Sequence, residues 1–403
     1  MLNFLLACAP SPTAPDIGAP GADTGPKWVF DAPTLEEPPL IEAVDVFSDT
    51  VTHNFSLELD SQARSDLRQD PSSWTEGTFV IGEVPYPIGV RIKGSSTYRD
   101  YGDKPSFKLR FDYVYSELRF NGMRRLNLHN MVLDPMLSSE VLNWGFFRAA
   151  GLPAPRVGYA RLDINGKDQG LYSIVEDIED DFLKQWFGDS HGNLYENAEN
   201  YCDLTRVSCF EPDESDEGND DALEGLIGAA KLSGDDWLAE MKQRMDWEPF
   251  VSFLAMERTI AHWDSYSFDL SNYRLYHDPT ADTFTFIPWS GDLGFGYRPW
   301  SYYDCGRHGV DPKDYDMGLL AKTCEQVPEC HQAVLDAMLT HADMLETMNA
   351  GGLVQPALNR VRADAASDPE NYDMNHFESH GACVEEFLTD RPDVIRAWVS
   401  QNR

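Results

Sequence analysis

The stretch from His262 to Gly296, HWDSYSFDLSNYRLYHDPTADTFTFIPWSGDLGFG, predicts an antiparallel hairpin with acidic residues at its open end. The segments NYRLYHD and TFTFIPW are rich in Tyr, Phe, Thr and Ile, and Asp278-Pro279 marks a turn between them. An antiparallel pair brings its two outer ends together. We therefore expect Asp264, Asn272 and Asp292 to converge on one point.

The residue types at that point indicate metal binding and proton transfer. Carboxylate and amide oxygens are hard ligands that suit Mg²⁺ or Mn²⁺, and one Asp would be left to accept a proton, as in phosphoryl transfer. Asp and Asn are also common at strand ends and turns for structural reasons alone. The glycines around Asp292, at Gly291, Gly294 and Gly296, favour the functional interpretation, because they indicate backbone that approaches something closely.

Size and charge restrict the class of protein. A chain of 403 residues with 42% hydrophobic residues can bury a sizeable core, and it is long enough for two lobes. The formal net charge of −36 argues against nucleic acid or an anionic membrane surface as a general partner, because that charge repels phosphate. A nucleotide can still bind where local Lys and Arg side chains and a metal ion outweigh the global charge.

The N-terminus predicts export. Leu5-Leu6-Ala7-Cys8 resembles a bacterial lipobox, although the apolar run before it is short and lacks a basic region. The Pro-, Gly-, Ala-, Ser- and Thr-rich residues that follow indicate a flexible tether, so residues 1–40 are interpreted as a signal remnant and tether. Contact with a membrane is expected only through a lipid anchor at Cys8.

The remaining cysteines agree with export. They number six and form no close CxxC pair of the kind typical of zinc sites: Cys202, Cys209, Cys305, Cys324, Cys330 and Cys383. Disulfides are the expected state, and the local pairs Cys202–Cys209 and Cys324–Cys330 are the simplest connectivity. The acidic run DESDEGNDD lacks the spacing of an EF-hand, which makes a solvated surface a better interpretation than a calcium loop.

The order of the predicted elements indicates an α+β protein with two lobes. Strands IGVRIKG and PSFKLRFD flank a loop that begins with Gly94, Ser95 and Ser96, whose backbone N–H groups could cover phosphates. A helix is predicted over residues 135–150 and a hairpin around Asn165-Gly166. Helices dominate after the hairpin of the opening stretch. We expect a strand-rich lobe over about residues 41–178 and a mainly helical lobe over about residues 179–403.

Several segments together resemble one family. RIKGSS, KPSFKLRF and RRLNLHNMVLDPMLSSE occur in that order and are followed by LDINGKDQGLYSIVEDIEDDFL, GNLYE, HWDSYSFDLSNYRLYHD and FTFIPWSGDLGFG. This series, which spans about residues 44–296, resembles the CotH (spore coat protein H) kinase family of atypical protein-kinase-like proteins. The resemblance implies a bilobal protein-kinase-like fold with the nucleotide, ATP, between the lobes.

The resemblance also implies roles for individual residues. Asp264 takes the part of the catalytic-loop Asp, which orients or deprotonates the acceptor hydroxyl. Asn272 and Asp292 would hold the divalent ions, Mg²⁺ or Mn²⁺, that bridge the ATP phosphates. Lys104 or Lys108 would contact the phosphates, with a slight preference for Lys108.

Further implications concern the hinge, the substrate and the alternatives. Glu176 and Asp177 would lie at the hinge near the adenine or ribose. The expected activity is phosphorylation of Ser or Thr in envelope or extracellular proteins. The alternatives are a non-catalytic surface or adhesion module and an enzyme that transfers another group, such as AMP or glutamate. Two positions depart from the family pattern: Lys93-Gly94 stands where Arg-Gly is common, and Ser290 stands where an Asp often follows the Trp.

Overall fold

The structure is a computed structural model that describes residues 45–48, 50–197, 202–215, 219–297 and 317–403. The predicted tether over residues 1–40, with Cys8, lies outside the described residues, and so does Cys305. The described chain begins with strands that close into a barrel and continues into a mainly helical part. The predicted α+β, two-lobed architecture is therefore confirmed.

Seven strands form the N-terminal barrel, in the order β1-β2-β3-β4-β5-β7-β6. They are β1 (Thr52–Glu58), β2 (Thr75–Ile81), β3 (Val84–Lys93), β4 (Ser106–Arg110), β5 (Arg125–His129), β6 (Val157–Ile164) and β7 (Lys167–Glu176). Parallel pairing of β1 with β6 closes the barrel, and the other neighbours pair antiparallel. Helix α1 (Ser61–Gln69) follows β1, and helix α2 (Ser139–Ala149) lies between β5 and β6.

Alternation along the strands decides which side chains fill the barrel. In β4, Phe107 and Leu109 are fully buried in the barrel core, so Lys108 between them points to the opposite face. The predicted β6–β7 hairpin is confirmed, with Asn165 and Gly166 at φ 52° and 80° in its two-residue turn. The Asn165 side chain also bonds both the N–H and the C=O of Leu59, at 2.7 Å each, which fixes the turn against the end of β1.

The C-terminal lobe combines a small sheet with nine described helices. Its sheet has the order β11-β10-β8-β9, with β8 (Asn193–Asn197), β9 (Phe210–Ser215), β10 (Tyr273–Asp278) and β11 (Thr283–Pro288). Its helices are α3 (Asp180–Phe187), α4 (Asp221–Ala230), α5 (Gly234–Arg244), α6 (Trp247–Thr259), α7 (Tyr266–Asp269), α8 (Leu319–Gln326), α9 (Pro328–Thr347), α10 (Val354–Ala366) and α11 (Met374–Asn402).

The start of one helix differs from the sequence-based prediction, and the end of another leads to the site. Helix α2 begins at Ser139 and not near residue 135, because the Asp134 carboxylate accepts hydrogen bonds from the Ser139 backbone N–H (2.7 Å) and hydroxyl (2.8 Å) and so caps the helix there. Helix α6 ends at Thr259, since Ala261 adopts φ 50°, which a helix cannot continue. Helix α6 is buried on most of its faces and carries the chain directly to His262.

Both local disulfides predicted from the sequence are present. Cys202 is bonded to Cys209 and Cys324 to Cys330, and Cys383 is disulfide-bonded as well. These bonds fit an exported protein, because cytosolic thiols are kept reduced. Among the described helices, none has the length and the apolar character needed to cross a membrane.

Candidate active site

The hairpin of the opening stretch brings its two ends together as predicted. Strands β10 and β11 pair in register from Tyr273 opposite Pro288 to Asp278 opposite Thr283. One further backbone bond, from Trp289 N–H to Asn272 C=O at 2.9 Å, extends the pairing past the strands. Asn272 therefore lies beside the segment that leads to Asp292.

Asp264 lies at the same end of the hairpin. The Asn272 side-chain amide donates a 2.8 Å hydrogen bond to the Asp264 backbone carbonyl, which ties the two residues together. Burial and the negative charge of Asp292 raise the pKa of the Asp264 carboxyl to about 7. The structure thus brings Asp264, Asn272 and Asp292 into one electrostatic neighbourhood.

The Asp292 carboxyl is itself perturbed. Burial and the charge of Glu140 on α2 raise its pKa. The hydroxyl of Ser290 donates a 3.0 Å hydrogen bond to Asp292 Oδ1, which opposes that shift. Ser290, which replaces the Asp expected from the family pattern, therefore orients the Asp292 carboxylate and adds no charge.

His262 connects the two arms of the site. Its Nε2 donates to the Ser290 carbonyl oxygen at 3.2 Å, and burial lowers its pKa to about 4, so the ring is neutral at physiological pH. A neutral ring that donates through Nε2 carries its proton there and leaves Nδ1 unprotonated. His262 therefore holds the segment before Asp292 against the turn that carries Asp264.

Helix α6 fixes the turn that follows Asp264. The Glu257 carboxylate accepts hydrogen bonds from the backbone N–H groups of Tyr266 (3.0 Å) and Ser267 (3.2 Å), and from the Ser267 hydroxyl. Burial raises the pKa of Glu257 to about 7. Nothing in the sequence pattern had marked Glu257, because a Glu within an apolar helix gives no sign of the loop that it contacts.

The backbone around the site is strained. Six residues other than glycine between positions 261 and 295 have φ between 50° and 59°: Ala261, Leu270, Asn272, Asp282, Ser290 and Phe295. Each such conformation is unfavourable by about 1 kcal/mol for an ordinary L-residue. Strain of this kind persists where the surrounding structure imposes it, and it often marks a functional site.

The glycines near Asp292 do face a close approach, and the group that they approach is helix α2. A Cβ on Gly291 would lie 2.8 Å from the Trp144 side chain, and one on Gly294 would lie 2.2 Å from the Asn143 amide. Asn143 also donates a hydrogen bond to the Gly291 carbonyl. These glycines let the segment pack on α2, so their presence does not require a ligand.

The predicted phosphate loop is open to solvent. Gly94, Ser95 and Ser96 are exposed directly after β3, and Gly94 has φ 114°. The sequence-based assignment of a phosphate contact to this loop stays a prediction.

The two predicted phosphate lysines lie in ion pairs. Lys104 is buried, with its ammonium 2.8 Å from Asp368 and 3.0 Å from the Tyr372 hydroxyl. Lys108 is buried 2.8 Å from Asp177. Both ammonium groups are thus committed to partners within the chain, and their contact with phosphate stays a prediction.

The two predicted hinge carboxylates also have partners. Glu176 forms a two-pronged ion pair with Arg156, at 2.6 and 3.1 Å. Asp177 accepts from the Asn127 amide at 2.9 Å in addition to Lys108, and burial opposed by the Lys108 charge leaves its pKa below the ordinary value. The proximity of either carboxylate to adenine or ribose stays a prediction.

A polar chain missed in the sequence crosses the neighbouring face of the barrel. Lys93 Nζ lies 2.8 Å from His129 Nε2, and His129 Nδ1 lies 3.1 Å from Glu140 Oε2. Lys93 Nζ is also 4.8 Å from the centre of the Trp289 ring, so this chain reaches across the interface between the lobes. Its only sequence signal was Lys93 itself, at the position where the family commonly has Arg.

A cavity of about 140 Å³ adjoins the acidic residues on the side of the small sheet. It is lined by β8 residues, by residues 270–274 and by Trp289. Arg274 in its wall is held by ion pairs of 2.8 Å to both Glu196 and Asp213. The cavity wall therefore includes both Asn272 and a fixed guanidinium group.

The donor set fits a divalent cation. Carboxylate and amide oxygens are ligands that Mg²⁺ and Mn²⁺ accept. Burial, and after it the charge of Asp292, raises the pKa of Asp264, and a cation would relieve the second of these effects. Within the described residues no group of three or more His, Cys, Asp or Glu side chains could hold a metal ion. Any metal here would therefore bind to a mixed Asp and Asn set and complete its coordination with ligand or water oxygens.

A barrel lobe, a helical lobe and an acidic site beside their interface define a kinase-like α+β protein. The chain belongs to the CotH kinase family, because the family model described as CotH kinase protein matches residues 90–401. The family resemblance seen in the sequence is thus confirmed.

Two curated relatives match part of the chain. The inner spore coat protein H of Bacillus subtilis is 24% identical over 228 residues, which cover 54% of this chain and 61% of that protein. The invasin CotH2 of Rhizopus delemar is 26% identical over 188 residues, which cover 42% of this chain and 32% of that protein. The chain thus matches less than two thirds of the length of these curated relatives.

Among solved structures, a complex of HipA, HipB and operator DNA from Shewanella oneidensis MR-1 contains a similar chain. The similarity covers 73% of this chain and 65% of that chain, with 12% identity and a TM-score of 0.37. Likeness at this level carries no functional conclusion.

Proposed function

We propose that this protein transfers a phosphoryl group from ATP, in the presence of Mg²⁺ or Mn²⁺, to Ser or Thr hydroxyls of envelope or extracellular proteins. Membership of a kinase family supports the class of reaction. The observation that carries the proposal is the coupling of Asp264 to Asp292 beside Asn272, because two partly buried acids and a side-chain amide lie together at one end of a strained hairpin.

Each residue has a distinct task in this proposal. Asp264 would orient the acceptor hydroxyl and take up its proton as the oxygen bonds to the γ-phosphorus of ATP, while the bond to the bridging oxygen breaks and ADP leaves. Asn272 and Asp292 would hold the divalent cation, with Ser290 keeping the Asp292 carboxylate in one orientation. When bound with the nucleotide, that cation neutralises charge on the transferred group. The chain needs positioning more than a strong base for this chemistry.

The site of action is part of the same proposal. The two local disulfides support an exported protein, and the lipobox-like sequence at Cys8 supports a lipid anchor. The names of the relatives, a spore coat protein and an invasin, point to cell or spore surfaces. An acceptor protein in the envelope or outside the cell follows from this location.

The experiment is a transfer assay read by intact mass. The purified full chain is incubated with ATP, free glutamate and Mg²⁺ or Mn²⁺, alone and with a pool of Ser- and Thr-containing peptides. A mass increase of one phosphate that requires the metal supports the proposal, whereas an increase of one AMP or one glutamate identifies a different transfer.

Two variants make the assay specific. Asp292→Asn should lose at least about a hundredfold in metal-dependent transfer, because it removes a charge that acts directly on the metal. Asp236→Asn, on an exposed position of α5, is the matched control and should retain the wild-type rate. Equal rates for Asp292→Asn and the wild type would refute the assignment, and nucleotide binding without any transfer would indicate a non-catalytic module.

A further inference from the structure

The face of the barrel nearest Trp289 carries a lysine with unusual surroundings. Lys93 ends β3 and is partly buried, and its ammonium contacts His129 Nε2 at 2.8 Å and the Trp289 ring at 4.8 Å. Within the described residues Lys93 forms no ion pair with a carboxylate, in contrast to Lys104 and Lys108. It is therefore the lysine of the three whose charge is not already neutralised by a contact within the chain.

Hydrogen-bond chemistry fixes the protons in this chain of contacts. An ammonium group can only donate, so His129 Nε2 must accept from Lys93. The His129 proton then lies on Nδ1, which donates to Glu140 Oε2 at 3.1 Å. Glu140 also accepts from the Ser173 hydroxyl at 3.3 Å. Charged Lys93 is thus oriented through His129 by a carboxylate on α2.

Charges from every neighbouring element act on Lys93. Lys108 on β4 and Arg274 on β10 repel its ammonium, whereas Asp177 after β7 and Glu140 on α2 attract it. Burial, reinforced by Lys108, outweighs the attraction and lowers the pKa of Lys93 to about 7. The ammonium is therefore only half formed at neutral pH until an anion arrives.

The position of Lys93 indicates which anion. Trp289 lies three residues before Asp292 in the chain. An ammonium above the Trp289 ring therefore lies near the segment that carries Asp292. Glu140 is close enough to Asp292 to raise its pKa. A polyphosphate whose metal ion was held at Asn272 and Asp292 would therefore meet Lys93 from the other lobe.

We propose that Lys93 is the lysine that binds the nucleotide phosphates, and that His129 and Glu140 position it and set its protonation. This inference rests on the proposed function, since it assigns a residue to the same nucleotide. In this proposal Lys93, and not Lys104 or Lys108, contacts the phosphates. Nucleotide affinity then depends on the protonation of Lys93 and so on pH, and an Arg at position 93 would abolish that dependence.

The test is calorimetric titration of the full chain with Mg²⁺ and the β,γ-imido analogue of ATP, which is not hydrolysed, between pH 6.5 and 8.5. The phosphates themselves titrate in part of this range, so each profile is compared with that of Lys93→Arg, whose guanidinium stays charged throughout. Relative to that variant, wild-type affinity should fall about fivefold from pH 7 to pH 8, as follows from a pKa of about 7.

Three further variants separate binding from positioning. Lys93→Met should weaken binding at least about tenfold at pH 6.5, whereas Lys167→Met, an exposed hairpin lysine, should not. Glu140→Gln keeps the shape of the side chain and removes a charge that raises the pKa of Lys93. The affinity for the ATP analogue should therefore be lost at a lower pH. In the Lys93→Arg background Glu140→Gln should leave the pH profile of binding unchanged, which a merely structural role of Glu140 would not explain.

The outcomes are distinguishable. If the wild type binds and Lys93→Met binds equally well, the assignment of Lys93 is wrong, and the proposed function is left to the transfer assay. If wild type and Lys93→Arg share one pH profile, the protonation role of His129 and Glu140 is wrong. If the wild type binds no nucleotide analogue at any pH with Mg²⁺ or Mn²⁺, the proposed function fails and this inference fails with it.

Discussion

The negative charge of Asp292 acts on Asp264, and together with burial it raises the pKa of the Asp264 carboxyl to about 7. The folded protein therefore holds a proton there that the unfolded chain, with an ordinary Asp pKa of about 4, has already released. The stability of the metal-free protein should fall as pH rises from about 4 to about 7, because the unfolded state binds fewer protons across that interval.

Mg²⁺ should reverse this loss. A cation held at Asn272 and Asp292 offsets the Asp292 charge that acts on Asp264, so the melting temperature should rise more on addition of Mg²⁺ at pH 7.5 than at pH 5. Thermal unfolding at both pH values measures the difference, and the Asp264→Asn/Asp292→Asn double variant should show no such difference. An equal shift of the wild type at both pH values would contradict a metal site at these residues.

Asp264→Asn should separate stability from activity. Removing one of two repelling acids should raise the free energy of unfolding of the metal-free protein by about 1 kcal/mol at pH 7.5, which is the usual gain when a strained functional site is relieved. The same change should lower phosphoryl transfer by about a hundredfold or more, because it removes the proton acceptor. Urea unfolding and the transfer assay provide the two measurements, with Asp236→Asn as control. A variant that is both less stable and fully active would show that Asp264 serves only the fold.

Substitutions at Ser290 test what its hydroxyl does at the position where the family often has an Asp. Ser290→Ala loses the 3.0 Å hydrogen bond to Asp292, so we expect a loss of about 1 kcal/mol in stability and weaker Mg²⁺ binding. Ser290→Asp adds a third acid, which should lower the melting temperature without metal and enlarge the gain on addition of Mg²⁺. Asp and Asn both tolerate the φ of 54° at this position, so Ser290→Asn is the uncharged control. A Ser290→Asp protein whose gain with Mg²⁺ equals that of Ser290→Asn would place position 290 outside the reach of the metal.

The sequence predicted the hairpin well because its signals are local. Alternating aromatic and β-branched residues around Asp278-Pro279 define two strands, and antiparallel pairing then brings Asn272 close to Asp292 without further information. The glycines beside Asp292 were an equally local signal of close approach, but no local pattern states what is approached. Helix α2 filled that role, through Asn143 and Trp144.

The Lys93–His129–Glu140 chain lay beyond such reasoning. Lys93 and His129 end strands β3 and β5, which are separated in the barrel by β4, and Glu140 begins the next helix. Only the register of the closed barrel and the placement of α2 against it bring the three side chains together. Composition and spacing carry no information about that register. Charged residues in the β3–β4 hairpin could therefore be predicted as phosphate contacts, but the sequence did not show which of them contacts phosphate.

Lys104 illustrates the same limit, and its ion pair yields a last prediction. Its ammonium lies 2.8 Å from Asp368 in the connection between α10 and α11, and Asp368 also accepts from the Leu171 backbone N–H at 2.7 Å. Both side chains are almost completely buried. Each therefore depends on the other, and together they fasten the barrel to the C-terminal helices.

Lys104→Met should destabilise the fold by about 3 kcal/mol, because it leaves the Asp368 carboxylate buried without its cation. Lys104→Met/Asp368→Leu should be less destabilised than the two single changes added together, since the two residues are coupled. Urea unfolding of the four proteins gives the coupling free energy directly. At 10 °C, where all variants remain folded, Lys104→Met should bind the imido analogue of ATP as tightly as the wild type. An affinity that falls as far as that of Lys93→Met would instead restore Lys104 as the phosphate contact and refute its assignment as a tie between the lobes.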